Sequence, residues 1–220
     1  MSHQLLQNIQ NTLPDAKIIA TPLPLCPEIK LYLINPNNMQ RLFSTDEIQV
    51  ILANTPFWVF CWPGGQALAY YILRNKHHYR GKHILDFGSG SGVVAIAAAI
   101  AGAAKVIACD IDSDALDATR ANAELNNVAI DTCLSLDEVN DTVDVIIAAD
   151  VLYDPDNRRL LETLPSYASE ILIADSRVNH IDSNFYQKVT EIKATLLPDL
   201  DATEEFKRVN LYRSLINPAH

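Results

Sequence analysis

From His83 onward the chain alternates between short, almost wholly apolar runs and longer stretches with helical spacing. The apolar runs predict strands at about 83–87, 105–110, 129–134, 143–149 and 170–174. The stretches between and after them predict helices at about 92–101, 113–126, 155–165 and 182–190. Strands that are apolar on both faces, each separated by a helix, predict a parallel sheet covered on both sides. The alternation then breaks. Two runs, about 190–197 and 206–216, are joined only by the acidic stretch Asp199 to Glu205, so they predict an antiparallel hairpin.

Right-handed crossovers turn such a pattern into a doubly wound α/β sheet, Rossmann-like, with a terminal antiparallel hairpin. Before Arg80 the pattern is irregular and rich in Pro and Asn, which predicts an N-terminal extension over residues 1–80 packing on a core over 81–220. Within the extension, Leu5, Leu6, Ile9 and Leu13 recur at helical spacing, and Pro14 ends that helix. Residues 29–33 alternate at period two, as a strand does. Ser44-Thr45-Asp46-Glu47 reads as a capping box before the apolar run from Ile48 to Ala53. A helix from about Gln66 to Asn75 follows, with Leu68, Tyr71 and Ile72 on one face.

The 220 residues suffice for one domain with a full core. The formal net charge of −10 repels phosphate backbones, so nucleic acid is not the expected partner. Cys26, Cys61, Cys109 and Cys133 are scattered, with no C-x-x-C pair, so they are read as buried thiols and no metal is expected. The first fifteen residues lack a basic region and a long apolar run, and no stretch has the ~20 apolar residues of a membrane span. With unpaired cysteines, these features lead to an expected cytoplasmic location.

The chemistry concentrates after the first core strand. Asp86-Phe87-Gly88-Ser89-Gly90-Ser91-Gly92 lies between a strand and a helix, where glycines permit close backbone approach and a helix N-terminus offers free N–H groups. Asp110 stands eighteen residues beyond Gly92, at the end of the next strand, where a carboxylate can accept both hydroxyls of a ribose. The spacing is G-x-G-x-G rather than the dinucleotide G-x-G-x-x-G, since Val93 takes the sixth position. That weighs against an NAD-dependent oxidoreductase. Asp86 is a candidate acceptor for an α-ammonium, through water or backbone. Asp150 follows the apolar Val145 to Ala149 and so falls at a strand's carboxyl end, where ligand clefts form. A carboxylate there can orient an amine, or it can cap the following helix.

These motifs resemble class I, seven-strand, S-adenosylmethionine-dependent methyltransferases. The likeness extends over residues 27 to about 175. It includes Pro27 to Leu33, Pro56-Phe57-Trp58, Trp62-Pro63-Gly64-Gly65-Gln66-Ala67-Leu68 and Asp150-Val151-Leu152-Tyr153-Asp154. Together these are most similar to the electron transfer flavoprotein beta subunit lysine methyltransferase family. The resemblance implies S-adenosylmethionine as cofactor, with Gly88, Ser89, Gly90 and Gly92 along its methionine part. It implies Asp110 on the ribose, Ile111 against the adenine and Trp62 closing one side. It further implies Asp150 and Tyr153 beside the transferring methyl, and a protein substrate such as that flavoprotein subunit. One segment departs from the family. Where relatives carry Asp-Pro-Gly-Arg after the fifth core strand, this chain has Asp175-Ser176-Arg177. The alternatives are a small-molecule, nicotinamide-type N-methyltransferase and, more distantly, the NAD-dependent oxidoreductase. Trp58 and Phe60 are read as core or pocket wall, Tyr153 otherwise as a helix-packing aromatic, His77 and His78 as solvent-exposed, and His180, after the fifth core strand on the functional edge, as a loop residue.

Overall fold

The computed structural model describes residues 3–181, 185–199 and 203–214. In chain order, the strands are β1 (Ile18–Pro22), β2 (Lys30–Ile34), β3 (His83–Phe87), β4 (Lys105–Cys109), β5 (Asp131–Cys133), β6 (Val143–Ala149), β7 (Ala168–Asp175), β8 (Tyr186–Lys193) and β9 (Arg208–Ser214). The helices are α1 (His3–Thr12), α2 (Thr45–Ala53), α3 (Pro63–Arg74), α4 (Lys76–Tyr79), α5 (Val93–Ile100), α6 (Ser113–Leu125) and α7 (Leu160–Thr163).

Seven strands form one sheet in the order β5-β4-β3-β6-β7-β9-β8. The first five run parallel, and β9 pairs antiparallel with both β7 and β8. This is the doubly wound sheet with its closing hairpin. Alternate residues of the strands feed two cores, as period two requires. Ile84, Val145 and Leu172 pack with Leu68 and Ile72 of α3 and Val94 and Ala98 of α5. Leu85, Ile146 and Ile171 pack on the other side with Leu152 and Leu164. The order reverses between β3 and β6, so a crevice opens at their carboxyl ends.

The N-terminal segment is bound to this frame by both apolar and polar contacts. Leu5 and Ile9 of α1 are buried with Ala115, Ala118 and Ala121 of α6. Asn122 of α6 accepts from the Tyr32 N–H at 2.7 Å, and Asn126 accepts from Lys30 at 3.0 Å, which ties β2 to the same helix. Ser44 and Glu47 close the capping box at the start of α2. Pro63 opens α3 at the position where a missing N–H costs nothing. Gln66 is fully buried, accepts from the Leu25 N–H at 3.1 Å and donates to the Thr195 carbonyl at 3.0 Å. One amide thus fastens the extension and the segment after β8 to α3. All four cysteines are free and buried.

Several predicted boundaries need correction. The helix expected at 182–190 is replaced by β8 from Tyr186 onward, while 182–184 lie outside the described residues. Phe185, Val189 and Ile192 imitate helical spacing, yet β8 is a sheet edge that buries only Tyr186. The hairpin strands are 186–193, not 190–197, and 208–214, with 206–207 in a 3-10 turn and 215–216 outside the described residues. The expected helix at 155–165 is a 3-10 turn, the single α-turn α7 and a second 3-10 turn, in which Pro165 stops α7 from continuing. His77 and His180 are exposed, but His78 pairs with Glu170 at 2.8 Å. Of the acidic stretch, 200–202 lie outside the described residues.

Gln66→Leu strands two buried backbone groups, each costing about 1–3 kcal/mol when left unpaired. Urea unfolding is expected to show a loss of about 2 kcal/mol or more, and an unchanged midpoint would contradict the fastening role.

Candidate functional site

The crevice is built from the loops that leave β3, β4, β6 and β7. After β3 the backbone turns at Gly88, whose φ is 69°. A Cβ there would lie 2.7 Å from Val151 Cγ1, so no L side chain satisfies both demands. Gly88 and Ser89 donate to the Cys109 carbonyl at 2.8 and 3.2 Å, which folds the loop onto the end of β4. The Gly90 N–H donates to Asp110 Oδ2 at 2.8 Å, and the Asp112 N–H donates to Asp110 Oδ1 at 3.0 Å. Burial raises the Asp110 pKa above the ordinary carboxylate value, against the lowering effect of those two N–H groups.

Asp150, one residue past β6, has a φ of 52°. That left-handed conformation is uncommon outside glycine, although Asp tolerates it better than most residues. Its N–H donates to the Ala174 carbonyl of β7 at 2.8 Å. Its carboxylate accepts the Gly64 N–H on Oδ2 at 2.6 Å and the Ser176 N–H on Oδ1 at 2.8 Å. The carboxylate therefore caps α3, while Asp154 caps the 3-10 turn that follows β6. A Cβ at Gly64 would fall 2.6 Å from that carboxylate, which explains the first glycine of Trp62-Pro63-Gly64-Gly65. Burial pushes Asp150 up to about 6. The neighbouring Asp175 charge adds to the rise, and the Ser176 and Gly64 N–H groups oppose it.

The walls enclose a cavity of about 670 Å³, within the range of small-molecule sites. Trp62, Gly88, Gly90, Asp110, Ile111, Asp150 and Tyr153 line it. Three other candidates sit behind the wall. Asp86 is buried in β3 and accepts the Ala95 N–H of α5 at 2.9 Å. Burial pushes it up to about 7, with the Ala95 N–H opposing and the Asp110 charge adding to the rise. Ser89 is buried against Thr119, 3.3 Å between hydroxyls, and Gly92 starts α5. Trp58 is buried core that also reaches the cavity wall.

The structure adds residues to which the sequence patterns gave no role in the site. Leu134 to Asp137, after β5, continue the wall beside Ile111, which is 92% exposed. Their position at the end of the strand next to β4 was the available signal. At the other end, Phe57 stands 6.0 Å from both Trp62 and Tyr153, between ring centroids. The Arg177 guanidinium lies 5.6 Å from the Trp62 ring centroid and 5.8 Å from that of Tyr153. Burial raises the Tyr153 phenol pKa, and Asp154 and Asp110 add to the rise. One end of the cavity thus offers a carboxylate and bare apolar side chains, as a nucleoside needs. The other offers a carboxylate beside aromatic rings, as an amine needs.

Comparison with known proteins bears on the family and the fold. Residues 68–168 match the family described as ribosomal protein L11 methyltransferase (PrmA). The electron transfer flavoprotein beta subunit lysine methyltransferase of Danio rerio is 34% identical over 208 residues, which cover 90% of this chain and 80% of that protein. The protein of the same name from Homo sapiens is 37% identical, over 69% of this chain and 60% of its own length. Among solved structures, magnesium protoporphyrin IX methyltransferase from Synechocystis, with bound S-adenosylmethionine, superposes with a TM-score of 0.53 at 15% identity. That alignment covers 80% of this chain and 85% of that one, and it supports the fold.

Asp86 yields a stability prediction with a definite sign. Its pKa is about 7 folded against an ordinary value of 3.8, so folding disfavours the charged form. The cost is full above pH 7, shrinks as the folded protein takes up a proton between about pH 7 and 4, and vanishes below. Asp86→Asn keeps an oxygen for the Ala95 N–H. It is expected to exceed wild-type stability at pH 8, by up to roughly 3 kcal/mol, with the gain fading toward pH 4. Denaturant titrations across that range check it, and a pH-independent difference would contradict the burial cost.

Proposed function

Within the electron transfer flavoprotein beta subunit lysine methyltransferase family, to which the chain belongs, we propose that this enzyme methylates lysine on a protein, using S-adenosylmethionine. The flavoprotein subunit for which its relatives are named is the acceptor to test first. The observation that carries this reading is the Asp150 carboxylate, fixed by two backbone N–H groups on the cavity wall where Tyr153, Phe57 and Trp62 gather.

The residues present fit the cofactor. Asp110 lines the cavity and would accept the ribose hydroxyls on the lone pairs its carboxylate keeps beside the Gly90 and Asp112 N–H groups, with Ile111 and Leu134 as apolar partners for the base. Gly88 and Gly90 present backbone without side chains along the amino-acid part. Asp86, Ser89 and Gly92 act from behind, by setting the loop and the start of α5. When bound, S-adenosylmethionine supplies a methyl group on a sulfonium, already a strong electrophile.

The chain's own groups then have to deliver a neutral amine along one line. Each carboxylate oxygen of Asp150 has a second lone-pair direction after accepting its N–H. It can therefore accept from the incoming lysine Nζ and hold it in place. The lysine arrives as an ammonium, and its proton leaves to water at the open mouth before the neutral amine attacks. Tyr153 limits the angle of approach. Phe57 is 46% exposed and Tyr153 is 50% exposed, so the mouth opens to solvent, as a protein acceptor requires. That openness favours a protein over a nicotinamide-sized acceptor. The net charge of −10 disfavours nucleic acid as acceptor. No helix among the described residues is long and apolar enough to cross a membrane. Free buried thiols fit action in the cytoplasm.

The test uses purified enzyme, labelled cofactor and the flavoprotein beta subunit, with mass spectrometry locating any methyllysine. S-adenosylhomocysteine at 100 times its Kd is expected to add about 2.7 kcal/mol of stability, and NAD none. Asp150→Asn has one oxygen for two N–H groups, so it loses some stability as well as its charge. In the folded variant, single-turnover methyl transfer is expected to fall by about 100-fold while S-adenosylhomocysteine binding persists. A wild-type rate in Asp150→Asn would move the reacting centre elsewhere.

A further inference from the structure

The acceptor end of the cavity already holds a cation. The Arg177 guanidinium lies within cation–π range of Trp62 and Tyr153, and Phe57 stands 6.0 Å from both of those rings. All four residues line the same cavity, next to Asp150. The backbone that carries Arg177 is fixed. Its N–H donates to Asp175 Oδ1 at 2.8 Å, and the Ser176 N–H before it donates to Asp150 Oδ1. The turn that secures the carboxylate therefore also places the guanidinium among the rings. The rings themselves are held from behind, since Trp62 Nε1 donates to the Phe57 carbonyl at 3.1 Å.

Resting on the lysine-methylation reading of this site, we propose that Phe57, Trp62 and Tyr153 form an alkylammonium-binding cage in which Arg177 is a resident cation that the lysine ammonium displaces. The exchange trades one cation for another over the same ring faces, so the rings stay occupied before and after substrate arrives. It sets the affinity of the cage as a difference between two cations. The resident also competes with the methylated product, which keeps the full positive charge and cannot donate as many hydrogen bonds to Asp150. Arg177 thereby acts as a specificity-determining residue and favours product release.

The test uses the intact enzyme with tetramethylammonium chloride as probe, against sodium chloride at equal ionic strength. Tryptophan fluorescence and competitive inhibition of methyl transfer read the binding. Arg177→Gln is expected to bind the probe about fivefold more tightly, the factor that matches a cation–π contact of about 1 kcal/mol. Arg177→Lys retains a resident cation and is expected to stay near wild type. Arg158→Gln, at an exposed arginine off the cavity wall, changes net charge equally and is expected to leave probe binding unaltered. Adding Tyr153→Leu to Arg177→Gln is expected to abolish the gain. No tightening in Arg177→Gln, equal tightening in Arg158→Gln, or a gain that survives Tyr153→Leu would each overturn the cage. Stabilisation by S-adenosylhomocysteine, measured on the same samples, reports on the cofactor reading separately.

Discussion

Three distant parts of the chain meet at one carboxylate. Asp150 follows β6, and it is bonded to Gly64 at the start of α3 and to Ser176 just past β7. Its own N–H reaches back to Ala174. These bonds hold a non-glycine residue in a left-handed conformation, a cost of order 1–3 kcal/mol that the surrounding contacts must offset. The arrangement leaves little tolerance for change. Gly64 has no room for a Cβ, and Gly88 has none because Val151 stands beside it. The carboxylate is also where α3, β6 and β7 fix their relative positions, so this end of the cavity inherits its shape from the junction.

The two ends of the cavity use acids differently. Asp110 accepts from Gly90 and Asp112 and so holds the glycine loop in register with β4 while facing the cavity. Asp150 accepts from two backbone groups and stands next to Asp175. Asp175 is itself occupied by the N–H groups of Arg177 and Val178. Burial raises both Asp110 and Asp150, which keeps the acidity of each sensitive to whatever fills the cavity. A cationic ligand near either carboxylate would favour its charged form.

Much of this is legible in the sequence because the core strands leave little ambiguity. Apolar runs such as Val145 to Ala149 and the order of glycine loop and acidic strand end suffice for the sheet and for Asp110. The family motifs lead to Asp150 and Tyr153 but not to how Asp150 is held, because an N–H supplied from 86 residues earlier leaves no local signature. The same is true of Gln66, whose partners Leu25 and Thr195 come from opposite ends of the chain. β8 reads as a helix because an edge strand buries few side chains and Phe185, Val189 and Ile192 fall at helical spacing. β1 leaves no pattern because only Ile18 of its five residues is buried. Arg177 is visible as part of a departure from the family turn, yet its place among aromatic rings depends on Trp62 lying opposite.

In the proposed function a charged Asp150 orients the acceptor amine. Its carboxyl is pushed up to about 6, so it is ionised above that pH and protonated below. The direct measurement is the single-turnover methyl-transfer rate against pH in wild type and in Asp150→Asn. The lysine's own deprotonation raises the rate with pH in both proteins. With the cationic cofactor bound, an additional bend is expected in wild type at or below about pH 6, with the rate falling more steeply beneath it, and no such bend in the variant. An identical bend in both would contradict the assignment of the charge to Asp150.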